Sequence, residues 1–166
     1  MLDTGFASAS IEAELEKHGT YASTTSGVSM EPLFRTRRDM VIIEKPKGEL
    51  KKYDVALYRL LSGKYVLHRV IKVKTNEYII RGDNTYIKEH VSKDRVIGVL
   101  TGFNRKGKSH SVNDLSYRVY SRVWNFIYPL RFVIRFLLLL PKRTARKVYR
   151  TLFMRKKQGV QTDKKS

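Results

Sequence analysis

Four side chains of this 166-residue chain could do chemistry together: Ser29, His68, Asp83 and Glu89. Ser29 sits in the loop SGVSMEPLF, residues 26–34, with Gly27 before it and the large thioether of Met30 and Pro32 after it. A serine hydroxyl is a poor nucleophile until a base takes its proton and donors stabilise the oxyanion formed on attack. A neutral imidazole suits that task, because it accepts a proton near neutral pH without the heavy desolvation a lysine needs. It then needs a partner on its second nitrogen to fix tautomer and orientation. Asp83, in a Gly-Asp-Asn turn, or Glu89 just beyond, is available for this. Taken singly, Ser29 and Asp83 are ordinary turn residues and His68 an ordinary half-buried histidine. Only the ordered set raises the chemical reading above the plain one.

The pattern Gly-x-Ser-Met-x-Pro fixes four residues and arises by chance about once in a thousand chains of this length. Along residues 26–100 come, in order, GVSMEP, KYDVALYRL, HRVIKV and GDN. Together they resemble the signal peptidase I family and its relatives, the LexA-type self-cleaving repressors. The resemblance implies Ser29 as nucleophile and His68 as base. His68-Arg69-Val70 is similar to the histidine type of endoplasmic-reticulum and archaeal enzymes, where typical bacterial members carry lysine. The resemblance further implies Asp83 as a required acid and Glu89 as a second one. Met30 would wall the cleft and Pro32 stiffen the loop, while Asp54 and Arg69 are expected to be structural.

Three departures stand out. Gly27 occupies the position where many members carry a hydroxyl that donates to the oxyanion, so backbone N–H groups, including that of Ser29, would form the oxyanion hole. Glu89 stands where the histidine type has Asp. No N-terminal membrane anchor or signal peptide is visible, and a short acidic helix takes that place.

The elements that must position these residues are legible as periodicity. IEAELEKH, residues 11–18, predicts a helix with Ser10 as N-cap, Gly19 as terminator and Ile11, Leu15 and His18 on one face. MVIIEK, DVALYRLL, YVLHRVIKV, EYIIRGD and RVIGVLTGF are β-branched, aromatic and punctuated by turn residues. In YVLHRVIKV, alternation places Val66, His68 and Val70 on one face and Leu67, Arg69 and Ile71 on the other. The expected fold is mainly β: a LexA/signal-peptidase-like folded-over sheet over 20–103, with the helix over 1–19. Residues 104–114 are read as a linker, 115–157 as a basic amphipathic helical tail and 158–166 as disordered.

Charge divides the chain in the same place. Residues 1–103 hold 17 Lys/Arg against 13 Asp/Glu, whereas 104–166 hold 17 against 2. Such a tail seeks a polyanion, either nucleic acid or an anionic membrane surface. VWNFIYPLRFVIRFLLLL, residues 123–140, has nearly the length of a membrane span, but Arg131 and Arg135 within it each cost ~2.5–3.5 kcal/mol on insertion scales. With Lys142 and Arg146 they form one narrow helical sector, which suits a helix lying on anionic lipid. Pro129 and Pro141 divide the run into two or three pieces. The chain has no cysteine, which excludes disulfides, thiolate nucleophiles and cysteine-ligated metals.

The expectation is a serine endopeptidase cutting an extended peptide or leader sequence. It would need no cofactor or metal and would be peripheral to the cytoplasmic face of a membrane, with a body that folds when cut near Phe103. Two alternatives are an autoprotease of the LexA type and a non-catalytic nucleic-acid-binding protein using the basic tail. Nucleic acid is the less favoured partner, because LLLL flanked by Phe136 and Pro141 suits lipid better than phosphate.

Overall fold

The computed structural model describes residues 9–136 and 138. The chain divides into two compact units, Met1–Phe126 and Ile127–Ser166. In the first, helix α1 (Ala9–His18) precedes seven strands: β1 (Thr20–Thr24), β2 (Met40–Glu44), β3 (Val55–Arg59), β4 (Tyr65–Val73), β5 (Glu77–Arg81), β6 (Glu89–Ser92) and β7 (Val96–Arg105). Strand β8 (Lys108–Ser111) and helix α2 (Leu115–Phe126) follow. All strand pairs are antiparallel, in the order β1-β2-β7-β3-β4-β5-β6, with β8 paired to β7. The mainly β expectation holds, with a helix at the N-terminal end and helices after the sheet.

Alternation along the strands produces two cores. Val55 and Leu57 of β3, with Leu67 of β4 and Leu100 and Phe103 of β7, form one cluster with Ile11, Leu15, Met30 and Phe34. Ala56 and Tyr58, on the opposite face of β3, join Val70, Tyr78, Ile80 and Val91 in the other. Successive strand residues point to opposite faces, so β3 and β4 are buried on both sides and hold the sheet's middle rigid.

Helix α1 begins at Ala9, one residue before the expected N-cap, so Ser10 lies in its first turn. Ile11 and Leu15 are buried as expected, but His18 is exposed beside Glu14. Gly19 ends the helix in the left-handed region (φ 70°), its N–H donating to the Leu15 carbonyl at 3.0 Å, a common terminating geometry.

Two boundaries differ from expectation. Residues 104–114 are not a linker: β7 turns at Lys106-Gly107, both at positive φ, into β8, which pairs back from Ser111 opposite Gly102. Helix α2 is not part of a free tail but belongs to the first unit, with Tyr117 and Ser121 buried. In the second unit, a turn at residue 127 separates α2 from a helical segment over 128–136, with Pro129 in its first turn, where a missing N–H costs nothing. Leu130, Phe132, Val133, Ile134, Phe136 and Leu138 are exposed there. Among the described residues no helix is long and apolar enough to cross a membrane. The expectations for Lys142, Arg146 and residues 158–166 lie outside the described residues.

Candidate active site

The serine loop is held at both ends. Thr25 donates its N–H to the Asp39 carbonyl at 3.4 Å, and Arg37 donates back to the Thr25 carbonyl at 2.8 Å. Asp39, fully buried, accepts from the Arg35 N–H at 2.9 Å and from the Arg38 guanidinium at 2.7 and 2.8 Å. These bonds hold its carboxyl below the usual aspartate range, the Arg38 hydrogen bond acting most strongly against the cost of burial. Thr36 Oγ1 donates to the Gly27 carbonyl at 2.5 Å. Within this frame Met30 is buried and the Glu31–Pro32 peptide is cis.

The Gly82-Asp83-Asn84 turn fastens the loop to the sheet. Asn84 donates its backbone N–H to the Ser29 carbonyl at 2.8 Å and its side-chain amide to the Val28 carbonyl at 3.1 Å. A Cβ on Gly82 would lie 2.6 Å from that Ser29 carbonyl oxygen and 3.0 Å from His68 Nε2. Only a glycine lets the turn approach both. The Ser29 main-chain carbonyl and the His68 ring thus both approach Gly82, and the two residues line a cleft of about 210 Å³ with Thr25, Gly27, Met30 and Tyr65.

His68 is 7% exposed. Its Nδ1 lies 3.0 Å from Glu89 Oε1 and 3.2 Å from the Tyr58 hydroxyl, which itself donates to Glu89 Oε2 at 2.6 Å. Tyr58 has only one proton to give and the carboxylate accepts, so Nδ1 carries the ring proton and Nε2, on the Gly82 side, is left without one. The hydrogen bond from His68 leads in holding the Glu89 carboxyl below the ordinary glutamate range, opposed by desolvation and helped by Tyr58. Burial, with the Glu89 bond second, pushes the Tyr58 phenol up, so it stays a neutral donor.

Sheet register explains why Glu89 and not Asp83 holds the ring. Val70 of β4 pairs with Ile80 of β5, and Ile80 with Glu89 of β6, so Glu89 lies on the same face as His68. Arg69 pairs with Arg81 and faces the other way, and Asp83 follows on that side. Arg69, fully buried, donates Nε to Asp83 Oδ1 at 2.8 Å and Nη2 to Oδ2 at 2.7 Å. Burial alone would lower this guanidinium, but the Asp83 charge and hydrogen bonds override it and raise it. The Asp83 carboxylate therefore serves Arg69 and the hydroxyl of Tyr120 (3.1 Å). Arg69 was expected to be structural and is so. Asp54 likewise holds a strand end, its carbonyl accepting from Val70 N–H at 2.8 Å.

Helix α2 completes this back side. Arg69 Nη1 donates to Ser121 Oγ at 2.9 Å, the Tyr117 hydroxyl at 3.2 Å and the Tyr53 carbonyl at 2.9 Å. Trp124 Nε1 donates to the Asp83 carbonyl at 2.9 Å, and Arg81 Nη2 to Asn125 Oδ1 at 3.0 Å. Sequence reasoning missed this docking, together with Tyr58, Asp39 and Thr25. Thr25 Oγ1 is buried in the cleft wall with no hydrogen-bond partner among the described residues, which costs ~1–3 kcal/mol. Tyr58 lies in the strand-like segment DVALYRLL, but only the β3–β4 register puts it beside His68. Among the described residues no three His, Asp or Glu side chains cluster to hold a metal ion.

The chain matches no protein-family model, and no curated protein is significantly similar to it.

Proposed function

We propose that this chain is a serine endopeptidase of the signal-peptidase type, with the folded-over β domain of that family. The observation that carries the reading is that Ser29 and His68 line one cleft beside Gly82, while Glu89 holds His68 Nδ1. In the proposed reaction His68 Nε2 takes the Ser29 hydroxyl proton as Oγ attacks the scissile carbonyl. The resulting imidazolium is stabilised by Glu89, and Nε2 then protonates the leaving amine. Water, activated by the same nitrogen, releases the acyl group from Ser29.

The substrate would lie extended beside β1, the terminal strand of the sheet. A free strand edge supplies backbone hydrogen bonds to such a peptide. A preference for small side chains before the cut comes from the family resemblance. The exposed apolar residues of the 128–136 segment, with Arg131 and Arg135, would rest on an anionic membrane surface, so the enzyme would work at a membrane's cytoplasmic face.

Ser29→Ala is expected to lower cleavage of a peptide library by several orders of magnitude, with His68→Ala nearly as damaging. A serine-directed inhibitor should leave an adduct that mass spectrometry maps to Ser29. Undiminished turnover by Ser29→Ala would sink the reading.

A further inference from the structure

Lys51, Lys52, Arg118 and Arg122 converge on a cleft of about 330 Å³ between the turn before β3 and the first turns of α2. That volume falls in the ~300–1,000 Å³ range of small-ligand sites. None of the four has a carboxylate within ion-pair distance among the described residues. Asp54, the one acid lining the cleft, accepts the backbone N–H of Lys51 at 2.7 Å. Lys52 lies 5.0 Å from the centre of its neighbour Tyr53's ring. Like charges gathered around one cleft repel each other, and an anion between them removes that penalty.

Helix α2 adds a second observation. Its inward face is polar and aromatic, built from Tyr117, Tyr120, Ser121 and Trp124, which bond to the Arg69–Asp83 pair. Its outward face carries Leu115, Val119, Val123 and Phe126, the last 84% exposed. At helical spacing these four form one stripe, and Arg118 and Arg122 border it on the cleft side. A soluble helix normally presents the reverse arrangement.

We propose that the cleft binds the phosphate-bearing headgroup of an anionic phospholipid, with the outward stripe of α2 resting on the acyl boundary. The inference deepens the membrane part of the proposed function and is independent of the peptidase part. A lipid satisfies the cations and the apolar stripe together, whereas nucleic acid would meet the cations and leave the stripe in water.

The test is co-sedimentation of full-length protein with phosphatidylglycerol vesicles. Lys51→Ser, Lys52→Ser, Arg118→Gln and Arg122→Gln, combined, should weaken binding at least a hundredfold, since each juxtamembrane cation contributes about fivefold. Lys64→Ser, Lys72→Ser, Lys88→Ser and Lys106→Ser remove the same charge from exposed positions elsewhere and should weaken it less than tenfold. Val119→Ser with Val123→Ser should also weaken binding. Equal losses in the two charge variants, or full binding by the cleft variant, would overturn the headgroup site and leave the membrane reading standing. A wild-type protein that ignores the vesicles, or leaves them for a short DNA duplex, would overturn both. Peptide turnover, measured separately, decides only the peptidase reading.

Discussion

Glu89 Oε1 lies 3.0 Å from His68 Nδ1 on one face of β4, while Arg69 turns to the other and closes its pair with Asp83. Two neighbouring residues of one strand therefore serve separate purposes, and the two acids should respond differently to substitution. Glu89→Gln would offer an amide donor to Nδ1 and favour the wrong tautomer, lowering kcat by up to ~10⁴-fold in a stable protein. Asp83→Ala would leave a buried guanidinium unpaired and cost ~3–5 kcal/mol of stability. Denaturant melts beside initial rates separate the two outcomes. A fully stable Asp83→Ala would contradict this division.

Tyr58→Phe removes one hydrogen bond to Glu89 and the oxygen near Nδ1, but leaves the ring's packing. A loss of ~10–100-fold in kcat is expected, the size of one hydrogen bond to a charged group, with KM unchanged. A larger effect on KM than on kcat would place Tyr58 in substrate binding instead.

Gly82→Ala would push a methyl group against the Ser29 carbonyl and the His68 ring, both fixed. The loop must shift, and a displacement near 1 Å costs about a hundredfold in rate. The measurement is turnover at saturating peptide, with the melt showing the sheet intact. An unimpaired Gly82→Ala would mean the loop and His68 tolerate independent placement.

Acid should affect rate and stability by different routes. If His68 is the base of the proposed reaction, cleavage should fall on acidification, because an imidazolium cannot accept the Ser29 proton. Stability follows the carboxylates whose folded values lie below their unfolded ones, Glu89 and Asp39. Their contribution is complete above the ordinary carboxylate range of ~4. It is lost as pH falls through the lower folded values. Melts across acidic pH should therefore show a shallower decline in Asp39→Asn than in wild type. Parallel curves would refute that assignment.

A chain cut near Phe103 was expected to keep its body, but α2 supplies Ser121 and Tyr117 to Arg69 and Trp124 to the Asp83 carbonyl. A chain ending at residue 114 should aggregate or melt far below the full-length protein, and one ending at Phe126 should keep its fold. Circular dichroism melts of both decide the boundary.

The central strands were legible because they alternate and are rich in β-branched residues; Tyr65–Val73 appears with both boundaries as expected. Strands β1, β6 and β8 were not, since TYAST, EHVS and KSHS are short and mostly polar, with only Tyr21 and Val91 among their side chains reaching a core cluster. Ser29 and His68 could be proposed from motif order. Which acid faces the ring could not, because the answer lies in the Val70–Ile80–Glu89 register. The docking of α2 was hidden because its inward face is polar: burial against a charged pair leaves no hydrophobic stripe to find.

Helix α2 is the last element of the first unit to be synthesised. Synthesis runs from the N-terminus, so Ser29, His68 and Glu89 are all made by residue 89. The bonds from Tyr117, Ser121 and Trp124 to the pair behind the Gly82 turn must wait for some thirty residues more. Ser29, His68 and Glu89 are therefore all in the chain before the helix that bonds to the Arg69–Asp83 pair has been made.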